Sequence, residues 1–231
     1  MFSERFYAVG RTFIGLQSFP VMILYLIIIG MSPLYQQLTK PCSLRRVMVI
    51  YNYFCSFCSA CTLIGFITGC LSAKSVFLKD GNPILTKSFF LYWATKNLEL
   101  LDTAFMILRH KRRQISFLHV YHHASMVLLT DFAYHYSPWA GIAFGLAINS
   151  FVHVCLYYYY GYTAQHPQGK PSWKPRITEL QIIQFLIGLV HNTIGYLHHG
   201  FCIYSMFYGA SMLYLFSSFY YNAFLRKKKV V

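Results

Sequence analysis

The sequence predicts an all-α polytopic membrane protein with seven transmembrane helices. Of its 231 residues, 56% are hydrophobic and only 11% are charged, whereas a soluble domain carries about 25% charged residues. The apolar residues fall into segments of about 20 residues, the length that crosses a bilayer as a helix. Basic residues collect in alternate loops between these segments, which is typical of a membrane protein with a fixed orientation. The formal net charge of +14 is therefore explained by topology, and no nucleic-acid partner is expected.

Seven spans can be drawn within a single membrane domain covering residues 1–231. Their approximate bounds, in chain order, are 16–35, 48–72, 85–108, 114–134, 138–162, 177–200 and 202–225. Pro20 and Pro138 lie near span starts, where proline is tolerated. Residues 79–83 and 166–171 contain the glycine and proline residues of turns. We expect short loops elsewhere.

The third span is the least hydrophobic, because it contains Lys96, Glu99 and Asp102. A six-span arrangement without it is the main alternative. Seven spans place most basic residues on one side, namely Lys40, Arg45, Arg46, Arg109, Lys111, Arg112, Arg113, Lys170, Lys174, Arg176 and Arg226–Lys229. The other side receives Arg5, Arg11, Lys74, Lys79 and Lys87. The positive-inside rule then predicts a cytosolic C-terminus and an N-terminus across the membrane, in the lumen.

The chain ends in Lys228-Lys-Val-Val231. Lys228 and Lys229 resemble the dilysine retrieval signal of endoplasmic reticulum membrane proteins, which works in the cytosol. The predicted localisation is therefore the endoplasmic reticulum membrane, with several passes through the bilayer.

A histidine stretch lies in the fourth span, directly after a basic loop. His119, His122 and His123 are three and four residues apart and share one helix face. Ionisable groups in a transmembrane helix indicate function, and they face the bundle interior. Polar stripes on the neighbouring spans are predicted to meet this face in the cytosolic half of the bilayer. Their members are Lys96, Glu99 and Asp102, then Asn149, His153, Tyr157 and Tyr160, then Gln181, Gln184 and His191.

Three kinds of chemistry fit such a cluster. The H-x-x-H-H spacing also occurs in the histidine boxes of membrane di-iron desaturases and hydroxylases, but those proteins carry further boxes that this chain lacks, so we expect no metal. Acyl transfer would use imidazoles with amide donors for a developing oxyanion. The basic loops would attract a polyanionic substrate such as a coenzyme A thioester. A seven-span transporter that relays protons is the non-enzymatic alternative.

Four boxes in this order resemble the ELO family of very-long-chain fatty acid elongases, the membrane 3-ketoacyl-CoA synthases. The boxes are Lys96-Asn-Leu-Glu-Leu-Leu-Asp-Thr103, Gln114 to His123, Asn149 to Tyr160, and Thr178-Glu-Leu-Gln-Ile-Ile-Gln-Phe185. Leu156 stands where the family usually has methionine. The sequence around the histidines is similar to the branch that acts on polyunsaturated acyl chains.

The resemblance implies condensation of an acyl-CoA with malonyl-CoA to 3-oxoacyl-CoA, CO2 and CoA, without a cofactor. It implies that helices 2–7 surround an enclosed acyl tunnel and that His122 attacks the acyl thioester. His153 would face the same centre, and His119 and His123 would orient it. The expected partners are the bilayer, the reductase, dehydratase and enoyl-CoA reductase of the elongation cycle, and a second copy of the chain. Some relatives carry a lumenal disulfide, for which Cys70 and Cys202 are the candidates here.

Overall fold

The computed structural model describes residues 10–169 and 171–226. Within these ranges it contains helices and turns and no β-strand. The principal helices are α1 (Ser18–Leu38), α2 (Arg45–Leu71), α3 (Pro83–Leu98), α4 (Leu101–Leu108), α5 (Phe117–Tyr136), α6 (Ala140–Gln165), α7 (Lys174–His199) and α8 (Ile203–Tyr220). A short 3₁₀ helix (Arg112–Gln114) precedes α5, and a π-helical stretch (Tyr221–Leu225) follows α8. The prediction of an all-α protein is confirmed.

Local sequence sets several helix ends. Asn82 accepts a hydrogen bond from the Leu85 backbone N–H at 2.8 Å, and Pro83 follows it at the start of α3. Ser116 accepts from the His119 backbone N–H at 3.3 Å and begins α5. Both side chains satisfy N–H groups that a helix start leaves without a partner. Gly200 ends α7 with a φ of 65°, the left-handed conformation that favours glycine.

The predicted third span is two helices rather than one. The break between α3 and α4 has bonds of 3₁₀ type: the Asp102 N–H donates to the Glu99 carbonyl at 3.1 Å. In a continuous α-helix it would donate to Leu98. The Tyr51 hydroxyl of α2 instead donates to the Leu98 carbonyl, at 3.4 Å. A side chain that takes over a backbone carbonyl in this way is a known cause of helix kinks.

Six packed elements close into a ring. Helix α2 packs on α3, α3 on α5, α5 on α8, α8 on α7, α7 on α6, and α6 on α2. Helix α1 lies outside this ring and packs on α4 and α5. The pair α2 and α6 has the most extensive contact, and Tyr51, Cys55 and Tyr157 form a buried cluster between them. The apolar core of the ring lies nearer one end, around Phe66, Phe89 and Tyr92.

Four of the helices are long and apolar enough to cross a membrane by length and composition. They are α1, α2, α6 and α7, and each presents many apolar side chains at the surface. These helices make the protein a multi-pass membrane protein. The count of seven spans stays a prediction, as does the orientation.

Every second loop along the chain lies at the same end of the bundle, and loops at one end are joined by hydrogen bonds. At one end the Cys42 N–H donates to the Leu108 carbonyl at 2.9 Å, and the Arg45 guanidinium donates to the Gln165 carbonyl at 2.6 Å. The loops joined here, with the start of α2 beside them, carry basic residues that are predicted to be cytosolic, among them Lys40, Arg45, Arg46, Arg109 and Lys111. At the other end the Ala140 N–H donates to the Asp80 carbonyl at 3.1 Å. Lys228 and Lys229, the predicted retrieval signal, fall outside the described residues.

An aromatic cluster fills this second end. The Phe201 ring packs against His191 and Phe77, with ring centroids 5.6 Å and 6.3 Å away. It lies directly on the Cα of Gly195, and a Cβ atom at that position would overlap the ring. The Lys79 ammonium donates to the Gly200 carbonyl beside it. Gly195 is therefore required for close packing of the connection between α7 and α8.

We expect Gly195→Ala to destabilise the protein, because the Phe201 ring must move. Overpacking of this kind costs about 1–3 kcal/mol, which corresponds to a fall in Tm of about 2–12 °C for a chain of this length. Thermal unfolding of detergent-purified protein measures it. Gly188→Ala on the same helix is the control, since nothing lies within 4 Å of its Cβ position. Equal Tm values for the two variants would contradict this account.

Candidate active site

A buried ionic cluster joins α3 to α6. The Lys96 ammonium lies 3.0 Å from both carboxylate oxygens of Glu99, at the break after α3. It also lies 3.0 Å from Nδ1 and 3.3 Å from Nε2 of His153. His153 Nδ1 is in turn 3.1 Å from Glu99 Oε1. Lys96 is 2% exposed and Glu99 is fully buried, so each charge depends on the other for compensation.

Tyr92 completes the surroundings of the Lys96 ammonium. Its ring centroid lies 4.9 Å from Lys96 Nζ, a cation–π distance. Its hydroxyl donates to Asn149 Oδ1 at 2.6 Å, and Asn149 Nδ2 donates to Gln184 Oε1 at 3.1 Å. This chain of side chains links α3, α6 and α7. In this chain of hydrogen bonds the side-chain oxygens of Asn149 and Gln184 act as acceptors. The amide NH2 group of Gln184 is the donor at the end of the chain.

Asp102 is held by a separate contact. The Tyr157 hydroxyl of α6 donates to Asp102 Oδ2 at 2.7 Å. Tyr157 is buried, and its ring packs on the rings of His153 and Tyr160, with centroids 5.7 Å and 6.1 Å away. Tyr160 is 41% exposed. The predicted stripe on α6 therefore runs from the buried ionic cluster to the surface.

The three histidines of α5 form one group of imidazoles. The ring centroids of His119 and His123 are 4.3 Å apart, and those of His122 and His123 are 5.3 Å apart. His122 faces His153 across 6.3 Å with nearly parallel rings, at an interplanar angle of 22°. The face shared by these residues on α5 therefore meets the ionic cluster, as the spacing predicted.

The four imidazoles differ in their partners. His119 Nε2 is 2.7 Å from the Thr103 hydroxyl, and His153 is held by Glu99 and Lys96. Among residues 10–169 and 171–226, the ring nitrogens of His122 have no hydrogen-bond partner. His122 is also partly accessible, whereas His123 is 8% exposed. His122 thus combines partial access with two ring nitrogens that have no hydrogen-bond partner among the described residues.

Two residues of the predicted stripe on α7 lie apart from the ionic cluster. His191 Nε2 is 3.1 Å from the Val76 carbonyl, and its ring stacks on Phe77 at 4.7 Å, at the opposite end of the bundle. Gln181 has no hydrogen-bond partner in the described part of the chain and is partly exposed. Residues on one face of a helix can lie far apart along its axis. Gln184 and His191 are seven residues apart, which separates them by about 10 Å and explains why His191 lies away from the ionic cluster.

Sequence reasoning missed Tyr92 and Tyr25. Tyr92 lies four residues before Lys96 and shares its face, so extending the stripe by one turn would have found it. The Tyr25 hydroxyl contacts Thr103 at 3.1 Å. Tyr25 lies on an apolar helix, and its neighbours along the chain gave no sign of this contact.

The site contains the kinds of groups that acyl transfer uses. It holds imidazoles without a protein partner, a fixed carboxylate–imidazole pair, and amide N–H groups within the same bundle. Within the residues described, no group of three or more His, Cys, Asp or Glu side chains has the arrangement of a metal site. All seven cysteines are free; Cys202 is exposed and Cys70 lies 3.9 Å from the Ala140 carbonyl.

Comparison with known proteins gives the same assignment. The sequence pattern of the GNS1/SUR4 (ELO) family matches residues 16–231. Very long chain fatty acid elongase 5 of Homo sapiens is 31% identical over 224 residues, which cover 91% of this chain and 75% of the human protein. The proteins of the same name from Bos taurus and Xenopus laevis are each 32% identical, over 89% and 88% of this chain and 73% and 74% of their own lengths. The chain therefore belongs to the ELO family of very-long-chain fatty acid elongases.

Proposed function

We propose that this protein is a 3-oxoacyl-CoA synthase that condenses a long-chain acyl-CoA with malonyl-CoA through an acyl group carried on His122. The observation that carries the proposal is the pairing of His122 with His153. His122 has ring nitrogens without a protein partner, and it faces an imidazole that Glu99 and Lys96 hold in place. The relatives named above are fatty acid elongases, which supports the same reaction class.

In the first step an imidazole nitrogen of His122 attacks the thioester carbon. A C–N bond forms and the C–S bond breaks, and its electron pair leaves with coenzyme A. The proton on the other nitrogen of His122 is released and ends on the thiol of CoA. The side-chain amides of Asn149 and Gln184 are candidates to donate to the developing oxyanion, because their chain ends on the Gln184 amino group.

In the second step malonyl-CoA loses its free carboxylate as CO2. The electron pair of the broken bond remains on the neighbouring carbon, which attacks the acyl carbon on His122. A C–C bond forms while the C–N bond to His122 breaks. The electron pair of the broken C–N bond returns to the His122 ring, which takes up one proton from solvent and becomes a neutral imidazole again. The products are CO2, 3-oxoacyl-CoA and the free imidazole, so the proposed reaction uses no cofactor and no metal.

The substrate proposal follows from the two ends of the bundle. The closed ring of six elements would hold the acyl chain as an enclosed tunnel, while the basic end would attract the phosphates of coenzyme A. The sequence around His119–Met126 is similar to the polyunsaturated-acyl branch, so we propose polyunsaturated chains as preferred substrates. We further propose residence in the endoplasmic reticulum, with the reductases and dehydratase of the elongation cycle and a second copy of this chain as partners.

We expect yeast that expresses the protein to extend supplied polyunsaturated fatty acids by two carbons. His122→Ala should abolish the extension, because His122 is the imidazole of the cluster that is partly accessible and has no hydrogen-bond partner at either ring nitrogen among the described residues. Gas chromatography of the fatty acids from a panel of supplied chains measures both results. His198→Ala is the control, since His198 is exposed and lies outside the cluster. Full activity of His122→Ala, or stoichiometric iron in active purified protein, would contradict the proposal.

We expect Glu99→Gln to lower stability as well as activity, because it leaves the Lys96 ammonium buried without its counter-charge. Breaking a buried pair in this way costs about 3–5 kcal/mol. The double variant Lys96→Met/Glu99→Gln should regain much of the Tm but none of the activity, since His153 has still lost both charged partners, the Glu99 carboxylate and the Lys96 ammonium. Thermal unfolding and product formation are measured on the same samples.

A second ion pair of equal spacing provides the control. Arg176 and Glu179 are also three residues apart, with nitrogen and oxygen 2.7 Å apart, but Arg176 is 77% exposed. Glu179→Gln should therefore change the Tm little. If Glu99→Gln unfolded at the same temperature as Glu179→Gln, the buried cluster would not have the structural role assigned to it.

A further inference from the structure

A chain of three side chains connects α1 to the histidine group. The Tyr25 hydroxyl of α1 lies 3.1 Å from the Thr103 hydroxyl of α4. The same Thr103 oxygen lies 2.7 Å from His119 Nε2. Tyr25 and Thr103 are 5% and 1% exposed, so both hydroxyls are shielded from bulk solvent. The helix outside the ring thus reaches one of the imidazoles beside His122.

Burial fixes the direction of the protons along this chain. If Nε2 of His119 carried a proton, it would donate to Thr103, and Thr103 would donate to Tyr25. The Tyr25 proton would then be buried without an acceptor, because the part of the chain that the structure describes offers its hydroxyl no second partner. A buried polar group without a hydrogen bond costs about 1–3 kcal/mol. In the opposite direction Tyr25 donates to Thr103 and Thr103 donates to His119, and every hydroxyl proton has an acceptor.

We propose that Tyr25 and Thr103 are positioning residues that hold His119 as the neutral tautomer with its proton on Nδ1. The hydrogen bond made by one ring nitrogen decides which nitrogen is protonated. With Nε2 accepting from Thr103, His119 keeps a single N–H, in a fixed orientation, next to His123 and the reactive His122. This inference rests on the proposed function only for its effect on turnover.

Helix α1 is anchored so that Tyr25 keeps its place. Near its start the Ser18 N–H donates to the buried carboxylate of Asp131 on α5 at 2.6 Å. Near its end the Gln36 amide donates to the Ile107 carbonyl of α4 at 3.1 Å. The Tyr25 contact lies between these two attachments. Helix α1 is therefore attached both to α4, which carries Thr103, and to α5, which carries His119. It forms part of the support of the proposed active site.

Nitrogen NMR of the purified protein tests the tautomer directly. Protein labelled with 15N-histidine should show a His119 resonance, identified by its loss in His119→Ala, with an unprotonated Nε2 that accepts a hydrogen bond. Thr103→Val keeps the shape of the side chain but removes the hydroxyl, so this signal should shift toward the protonated Nε2 form. Thr103→Ser should retain the wild-type signal. A His119 that carries its proton on Nε2 in the wild-type protein would overturn the proposal, whatever the enzymatic activity.

Kinetics separate positioning from a merely structural role. We expect Thr103→Val to lower kcat by roughly ten- to a hundredfold, less than the loss of an acid–base group itself, with KM within about twofold. Thr103→Ser should restore most of kcat. Tyr25→Phe should give a smaller loss of its own and no added loss in the Thr103→Val background, because it acts through Thr103. In the His119→Ala background, Thr103→Val should change nothing further.

Tyr35→Phe is the matched control, since it removes a hydroxyl from the same helix that has no hydrogen-bond partner among the described residues. It should keep wild-type kcat. Equal losses from Thr103→Val with and without His119 would show that Thr103 only stabilises the fold and would overturn the proposal. A wild-type protein without condensing activity would refute the proposed function instead, and the NMR result would still decide the tautomer.

Discussion

The buried contact between Lys96, Glu99 and His153 is the constraint on which the site depends. Charges in an apolar bundle are stable only when they are paired and hydrogen-bonded. Glu99, just after the end of α3, satisfies this condition by binding Lys96 of α3 and His153 of α6, with both partners about 3 Å away. The pairing fixes α3 against α6, and it gives His153 the orientation in which it faces His122. Stability and the proposed reactivity therefore depend on the same three side chains.

The break in the third segment places the neighbouring polar groups. Tyr51 takes the Leu98 carbonyl, and the backbone tightens to 3₁₀ bonds before α4 begins. Asp102 then reaches Tyr157 on α6, while Thr103, the next residue, reaches His119 on α5. Two adjacent residues thus form hydrogen bonds with two different helices. A short stretch of chain after the break therefore contacts both α5 and α6.

The sequence predicted the helices and the polar faces better than it predicted their neighbours. Apolar length predicted an all-helical membrane protein, and four helices have the length and composition to cross a bilayer. The spacing of His119, His122 and His123 placed these residues on one face. The break between α3 and α4 was not predicted, and the side chain that contacts it, Tyr51, is distant in sequence. His191 shares the periodicity of Gln184 yet lies at the other end, because periodicity defines a face but not a depth. Contacts such as Tyr25 with Thr103 depend on helix packing, which no local pattern encodes.

The central claim is that His122 carries the acyl group, and a single turnover without malonyl-CoA tests it most directly. Purified protein mixed with a polyunsaturated acyl-CoA alone should release about one equivalent of CoA and gain the mass of one acyl group. Peptide mapping should place that group on His122, and added malonyl-CoA should remove it as 3-oxoacyl-CoA. No adduct in a preparation that is active with both substrates, or an adduct on another residue, would contradict the account.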